Sequence, residues 1–444
     1  MGNWLRMASA CFTSLALACG SGASRGSGGT PSSGEQTTGN APQAGQSGAR
    51  LAKLDIADAA TLFITQGTDK PVLYKVTTDG RVAEVSRTWV GEDGKPVDES
   101  VPPEPWCVWN ASRAYVVVNF SGPYPLTTAL VRKSTGSVYY MASETSLFDF
   151  CAFEPTPFVY WTPHVQADGL GNLYILKLEL YQDRSEQSIY MIDVTDPNQI
   201  SEVRLTPETD YVESFVVNAA GDVCYEARDT PSGASVYRFR SASGAFVSDS
   251  HGAVFTGLDG KFYRQHVVYG PTETTTELIR IEISDGVHET KVSTWPFLFT
   301  SFAPARLGNT LVWLRGVTFS VSGPTSNWES PEVVQLAAMD GMPRIYPLPS
   351  SRYRTVSLGP SSAWFVGEDG ASLTRWTSSG TTPVPIDAGY DIFSLSAIAD
   401  DRAVIDALRL VEGAKVLASV QGDGGVTIAD VEASRDVIRF VGTR

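Results

Sequence analysis

One stretch, DGLGNLYILKLELYQDRSEQSIYMIDVTDPNQISEVRL (168–205), limits the architectures open to this chain more than any other, because most of the chain beyond residue 51 repeats its grammar. A turn at Asp168, Gly169, Gly171 and Asn172 leads into an alternating run, Leu173 to Leu180. After a polar connection, a second run (Ser188 to Val194) meets another Asp/Pro/Asn turn and a third apolar run (Ile200 to Leu205). An antiparallel unit this small cannot cover both of its faces, so it must stack on copies of itself.

The copies are arranged in order along the chain. The first unit has TLFITQ (61–66), PVLYKVTTDG (71–80) and RVAEVSR (81–87), and the second RAYVVVNF (113–120), LTTALVRKSTG (126–136) and SVYYMA (137–142). After the 168–205 unit come a fourth from Glu213, a fifth from Ala253, a sixth from Thr310, a seventh from Ser362 and an eighth from Ala403. Each reads as alternating strand, turn, strand ending in D-G, S-G or T-G, and a further short strand. A spacing of roughly 35 to 55 residues belongs to four-stranded propeller blades rather than to helical solenoids. The expected fold is all-β, a β-propeller of seven or eight four-stranded blades over residues 51–444. Leu51 to Ile56 and Val437 to Val441 are expected to share a blade and close the ring. Val404 to Leu410 also fits a helical period and is read as strand.

The N-terminus carries a different signal. MGNWLRMASACFTSLALACG has one early cation, Arg6, and then an uncharged stretch from Met7 to Ala18 that is too short to span a bilayer as a helix. It ends in Leu15-Ala16-Leu17-Ala18-Cys19, which resembles the lipobox of bacterial lipoproteins. The resemblance implies a signal peptide over 1–18 and diacylglycerol on Cys19, an anchor to the membrane of the bacterial cell envelope. Ala16 stands where that family usually has Leu or Val, which leaves an ordinary secretory peptide cut nearby as the other reading. Gly20 does not suggest retention at the inner membrane, so the outer membrane or cell surface is the expected location. Residues 19–50 are nearly all Gly, Ser, Thr, Ala, Gln, Asn and Pro, a composition that reads as a disordered tether. At about 5 to 6 Å times the square root of its length, it would hold the folded part about 30 Å from the anchor.

From about residue 55 onward the repeat grammar resembles NHL-like and quinoprotein-like bacterial propellers. Sharper signatures fail: the paired glycines of Kelch units and the Trp-Asp of WD repeats are absent, and Glu368 to Trp376 is too widely spaced for a sialidase Asp box. The resemblance therefore implies a fold and no particular activity. A formal charge of −15 without a Lys/Arg cluster argues against nucleic-acid binding.

Three cysteines remain after the signal peptide and Cys19. Cys107 and Cys151 are read as a disulfide candidate, because both precede a strand in Pro/aromatic connections one blade apart, and Cys224 as buried and unpaired. Those connections, 89–109 and 148–161, concentrate Trp89, Trp106, Trp109, Phe150, Phe153, Tyr160 and Trp161 near carboxylates. Such residues suit a sugar or protein site as well as they suit plugs between blades. Trp89, Trp106, Trp109, Trp161 and His164 are the ligand-binding candidates. The four histidines show no metal-ligand spacing, and neither a metal nor a cofactor is expected.

Two readings of function stand side by side: a monomeric, envelope-anchored binding or scaffold module for a protein or glycan, or a propeller hydrolase or lyase acting on a polysaccharide or lactone in the central channel. A purely structural lipoprotein is the third. The cysteine reading predicts one free thiol on labelling the intact mature protein and three after reduction; three free thiols before reduction would exclude the Cys107–Cys151 bond.

Overall fold

A computed structural model describes residues 50–442 except 67–70, 92–93, 98–103, 111–113, 122–126, 141–164, 181–184, 195–200, 208–209, 229–235, 242–243, 249–253, 271–273, 297–303, 320–330, 387–388 and 429–435. Regular structure among the described residues is entirely β. It comprises seven four-stranded sheets, one five-stranded sheet and one three-stranded sheet.

The four- and five-stranded sheets are eight propeller blades. Blade 2 spans Glu104–Tyr140, blade 3 Val165–Arg204, blade 4 Tyr211–Ser248 and blade 5 Val254–Trp295. Blade 6 spans Ala305–Pro347, blade 7 Arg352–Val384 and blade 8 Tyr390–Ile428. Each is an antiparallel meander laid down in chain order; blade 7 gains its fifth strand, Thr318–Phe319, in parallel on Arg352–Leu358. Arg402–Arg409 is a strand, the reading preferred to the helical period that this segment also fits.

Blade 1 closes the ring with strands from both ends of the domain. Asp436–Gly442 is its inner strand and pairs with Ala59–Gln66, followed outward by Val72–Thr77 and Val82–Glu84. The expected pairing of Leu51–Ile56 with the C-terminal strand is therefore corrected. Arg50–Leu54 instead joins Arg87–Val90 and Pro96–Val97 in the three-stranded sheet. The reason lies in the side chains. A blade strand needs two apolar faces, and Ala59–Gln66 has them in Leu62 and Ile64 on one side and Phe63 on the other, all buried. Among its described side chains, Arg50–Leu54 buries only Leu51 and Leu54, so it can cover a surface but cannot be sandwiched.

Apolar clusters join the blades pairwise. Tyr174, Leu176 and Ile189 of blade 3 meet Phe215 and Tyr225 of blade 4, and Cys224 and Phe239 of blade 4 meet Phe262 and Ile281 of blade 5. Between blades 5 and 6, Trp313 stands edge-on to Phe255 at 5.8 Å and to Trp295 at 6.0 Å. Blades 7 and 8 share Trp364, Ile392 and Ile405, while Phe63 and Val76 of blade 1 pack on Val404 and Leu417 of blade 8. Each buried Phe, Leu or Val contributes about 1.5 to 3 kcal/mol, so the seams between blades hold most of the stabilising area.

The tight turns between first and second strands are fixed by Asp and Asn side chains. Asp168 Oδ1 accepts the N–H groups of Leu170 and Asn172 at 2.9 and 3.0 Å, and Asn218 Oδ1 those of Ala220 and Asp222, both at 2.9 Å. Gly221 (φ +87°) and Gly260 (φ +76°) supply the left-handed backbone these turns need. The turns also bind one another: Gly169 N–H donates to Ala219 O and Ala219 N–H to Gly260 O, each at 3.0 Å.

The seam between blades 8 and 1 contains a polar strip. Ser396 Oγ donates to Thr61 Oγ1 at 2.9 Å, and buried Asp406 lies in register with Ser394 and Leu417 on the same face. Burial raises the Asp406 carboxyl from 3.8 to about 6, against a smaller opposing pull from Lys415. Because the folded pKa lies above the unfolded one, the stability that the protonated acid contributes is complete below about pH 4 and is lost as pH rises through about 6. Asp406→Asn is thus expected to stabilise the fold by about 1 to 3 kcal/mol at pH 7.5 and by little at pH 4, as read by urea denaturation at both values.

Candidate functional site: the bulged channel mouth

In an antiparallel meander the first-to-second and third-to-fourth turns lie at one end of every blade, and the second-to-third and blade-to-blade connections at the other. The first end carries the tight turns built on Asp168 and Asn218. The second receives the longer connections, and its inner strands share an irregularity.

Among the described residues, five of the eight inner strands are bulged close to this second end, and that of blade 8 has another bulge near the first end, between Ala397 and Ala399. In blade 4, Val212 pairs with Ala227 and Ser214 with Glu226, so Glu213 is left without an opposite residue. Blade 7 does the same at Arg354, between Tyr353↔Gly367 and Thr355↔Val366, and blade 2 at Trp106, between Pro105↔Phe120 and Cys107↔Asn119. In blade 8 the extra residue is Phe393, and in blade 1 it is Ile438. Four of these are the third residue of their strand and Phe393 is the fourth, so they stand at one level of the ring. A bulge re-aims one side chain at a cost in ladder hydrogen bonds, and its repetition at one level defines a rim around the channel mouth.

The rim residues differ in chemistry. Glu213 is held by Arg228 at 2.9 Å. Arg354 Nη1 donates to Asp391 Oδ1 at 2.8 Å and to Ile392 O at 2.7 Å, and Nη2 to Glu368 O at 3.4 Å, which ties blade 7 to blade 8. The next turn holds Asp369, whose carboxyl is kept below its ordinary value chiefly by the backbone N–H of Ser372. Phe393 is 40% exposed, with Lys415 Nζ 5.8 Å from its ring centroid. Burial raises the phenol of Tyr211, at the start of the blade 4 inner strand, and pushes that of Tyr353 up to about 12.

Below the rim, side chains cap the inner edges. Gln166 of blade 3 donates to Phe215 O at 2.6 Å and accepts from Val217 N–H at 2.9 Å, and Thr256 of blade 5 donates to Val217 O at 2.9 Å. Ser357 of blade 7 accepts from Ala397 N–H of blade 8 at 3.0 Å. These bonds satisfy backbone groups that would otherwise face the channel. Side chains thus cover part of the lower wall in blades 3, 4, 5, 7 and 8.

Of the residues singled out from the sequence, Trp106 occupies a bulge position. Trp109 and Cys107 share its strand, and Trp89 is only 9% exposed, packed among Leu51, Leu54 and Val108. Cys19, Cys151, Trp161 and His164 lie outside the described residues, as does the side chain of Cys107. The segment 89–109 is not a single connection: it contains the end of Arg87–Val90, the pair Pro96–Val97 and most of the blade 2 inner strand, Glu104–Asn110. Pro105 and the bulge disguise that strand by breaking its alternation. Cys224 is buried and free, and burial raises its thiol pKa well above its usual value. His266 is exposed, and His288 pairs with Asp285 at 2.7 Å. Among the described residues, no three His, Cys, Asp or Glu side chains converge to hold a metal ion. Sequence reasoning missed Glu213, Arg354 and Phe393 as site residues; their only signal is the slip of phase within an otherwise alternating strand.

No protein-family profile and no curated protein sequence matches this chain. Among solved structures, it is similar to a eukaryotic initiation factor at 8% identity and a TM-score of 0.44, over 86% of this chain and 97% of that one. AztD from Citrobacter koseri gives 13% and 0.41, over 88% and 98%. TolB from Acinetobacter baumannii gives 11% and 0.31, over 72% and 78%. Likeness at these levels carries no functional argument, and the propeller assignment rests on sheet order and the closing pair of blade 1.

The Arg354–Asp391 pair is part-exposed, which limits its strength. A double-mutant cycle with Arg354→Met and Asp391→Asn, followed by thermal denaturation, is expected to give a coupling of about 0.5 to 1.5 kcal/mol. Arg354→Lys should recover less than half, since one ammonium cannot span both acceptors.

Proposed function

We propose that this chain is a lipid-anchored propeller of the bacterial cell envelope that acts as a monomer and binds a protein or glycan partner at the bulged mouth. The observation that carries the reading is the recurrence of one bulge in five inner strands, each at a residue of different chemistry: acid, base, aromatic or aliphatic. A ring that served only as structure would gain nothing from interrupting its inner ladders at a common level. A binding rim needs varied side chains on a rigid frame, and propeller blades supply the frame. The lipobox-like Leu15–Cys19 and the Gly/Ser-rich segment after it support the anchor and the location.

The test is capture from solubilised envelope and on a glycan array, comparing wild type with Phe393→Ser and Arg354→Met and, as an opposite-end control, Leu170→Ser. Binding to a common partner should fall at least about tenfold in the two mouth variants, equivalent to about 1.4 kcal/mol each, and stay unchanged in the control. Equal binding by all four proteins, or no partner at physiological salt, counts against the reading.

A further inference from the structure

The seam between blades 8 and 1 changes character along its length. Near the tight turns Ala60 and Val76 of blade 1 pack on Ile398 and Val404 of blade 8, and Ser396 and Thr61 satisfy each other. Nearer the mouth, Asp406 stands directly opposite Ser394 on one side and Leu417 on the other, and Leu417 clusters with Phe63, so this face is turned to blade 1. Asp406 is only 8% exposed, yet among the described residues it has no hydrogen bond and no close ion pair. Ser394 Oγ is buried without a hydrogen-bond partner among them, and so is Thr65 Oγ1, which alternation with Thr61 and Phe63 turns toward the same seam.

Above this level the seam opens. Ser394, Leu408 and Lys415 are part-exposed, and the bulged Phe393 stands at the lip beside Ser394. An unpartnered buried carboxyl is costly, and Asn or Leu at this position would relieve the cost, so the fold by itself gives no reason for an acid here. At neutral pH a carboxyl that titrates near 6 is ionised and can only accept, so whatever completes the notch has to bring donors. Lys415 lies diagonally from Asp406 on the same face and leaves the notch close to neutral. An ammonium group would be repelled by that cation, and a metal ion would find a single carboxylate. Neutral hydroxyl groups meet neither obstacle.

We propose that this notch is a subsite for one neutral sugar residue, whose adjacent hydroxyls donate to the Asp406 carboxylate and bond with Ser394 Oγ while its apolar face lies on Phe393. The proposal rests on the reading of the mouth as a binding rim, and it selects a glycan over a protein as what that rim takes. A few convergent polar groups fix the orientation of such a ligand, and the aromatic ring supplies contact area. Thr65 bounds the notch from blade 1. The acid then belongs to the site and not to the packing, and its cost in stability is the kind a binding group imposes on a fold.

The test titrates the full chain, purified in detergent, with the methyl glycosides of glucose, galactose, mannose and N-acetylglucosamine, read by saturation-transfer NMR and calorimetry. Wild type is compared with Asp406→Asn, Ser394→Ala and, as a control in a turn at the tight-turn end, Asp423→Asn. At least one glycoside should bind the wild type, at least about tenfold more weakly to Asp406→Asn and about threefold more weakly to Ser394→Ala, with the control unchanged. Asp406→Asn should at the same time resist urea better at pH 7.5, so that affinity falls while stability rises; a variant that loses both places Asp406 in the packing and overturns the subsite. No glycoside binding, or equal affinity of wild type and Asp406→Asn, also overturns it. In that event, loss of a protein partner captured from the envelope by Phe393→Ser and Arg354→Met leaves the binding rim standing as a protein site, and no such loss removes the rim as well.

Discussion

Every blade of this protein has two apolar faces and can hide them only against its neighbours. Trp313 illustrates the constraint: it leaves blade 6 and is covered by Phe255 and Trp295 of blade 5. A row of such sheets has two unsatisfied ends, and closing it into a ring is what removes them. The closing blade therefore has to bind the two ends of the domain together, with Asp436–Gly442 laid against Ala59–Gln66. The three-stranded sheet obeys the same constraint, since it covers the outer part of the seam between blades 1 and 2 with Leu51, Leu54 and Trp89.

Ring closure leaves one set of strand edges that no blade can pair, those facing the axis. The chain treats the two ends of that edge differently. Near the tight turns it covers backbone groups with Gln166, Thr256 and Ser357, with one bulge, between Ala397 and Ala399 of blade 8. Near the other end it interrupts the ladder and places Trp106, Glu213, Arg354, Phe393 and Ile438 at a common level. Rigidity below and diversity above is the arrangement expected of a scaffold whose specific chemistry sits on its rim. The polar strip around Asp406 and Thr61 lies in the closing seam, where the energetic cost of burying a carboxyl is offset by the apolar packing of Phe63, Val76, Val404 and Leu417.

The first and last described strands, Arg50–Leu54 and Asp436–Gly442, both run from the mouth side toward the tight-turn end, so the propeller has a polarity. The chain arrives at the mouth end through Arg50 and finishes at the tight-turn end. That polarity separates a face of tight turns from a face of longer connections with bulged inner strands. The exposed Leu410–Val411 tip lies on the second of these faces.

Legibility in the residues alone varied with how regular the strands are. Middle strands such as Leu173–Leu180 alternate and were readable, as were the Asp/Asn/Gly turns whose side chains bond their own backbone, whereas Arg402–Arg409, buried almost throughout, also fitted a helical period. The inner strands Glu104–Asn110, Arg352–Leu358 and Tyr390–Ala399 were not, because a bulge shifts the two-residue period midway and makes a strand look like a connection. The same shift hid Glu213, Arg354 and Phe393, and made Trp106 appear to belong to a loop. By itself the sequence determined the local grammar: strands, turns, repeat length and an N-terminus resembling a lipoprotein's, all of which depend on residues near one another in the chain. The tertiary structure alone decided the partner of the last strand, the number of blades, the burial of Trp89 and the common level of the five bulges. These depend on residues brought together from distant parts of the chain, and one-dimensional periodicity holds no record of which apolar face meets which.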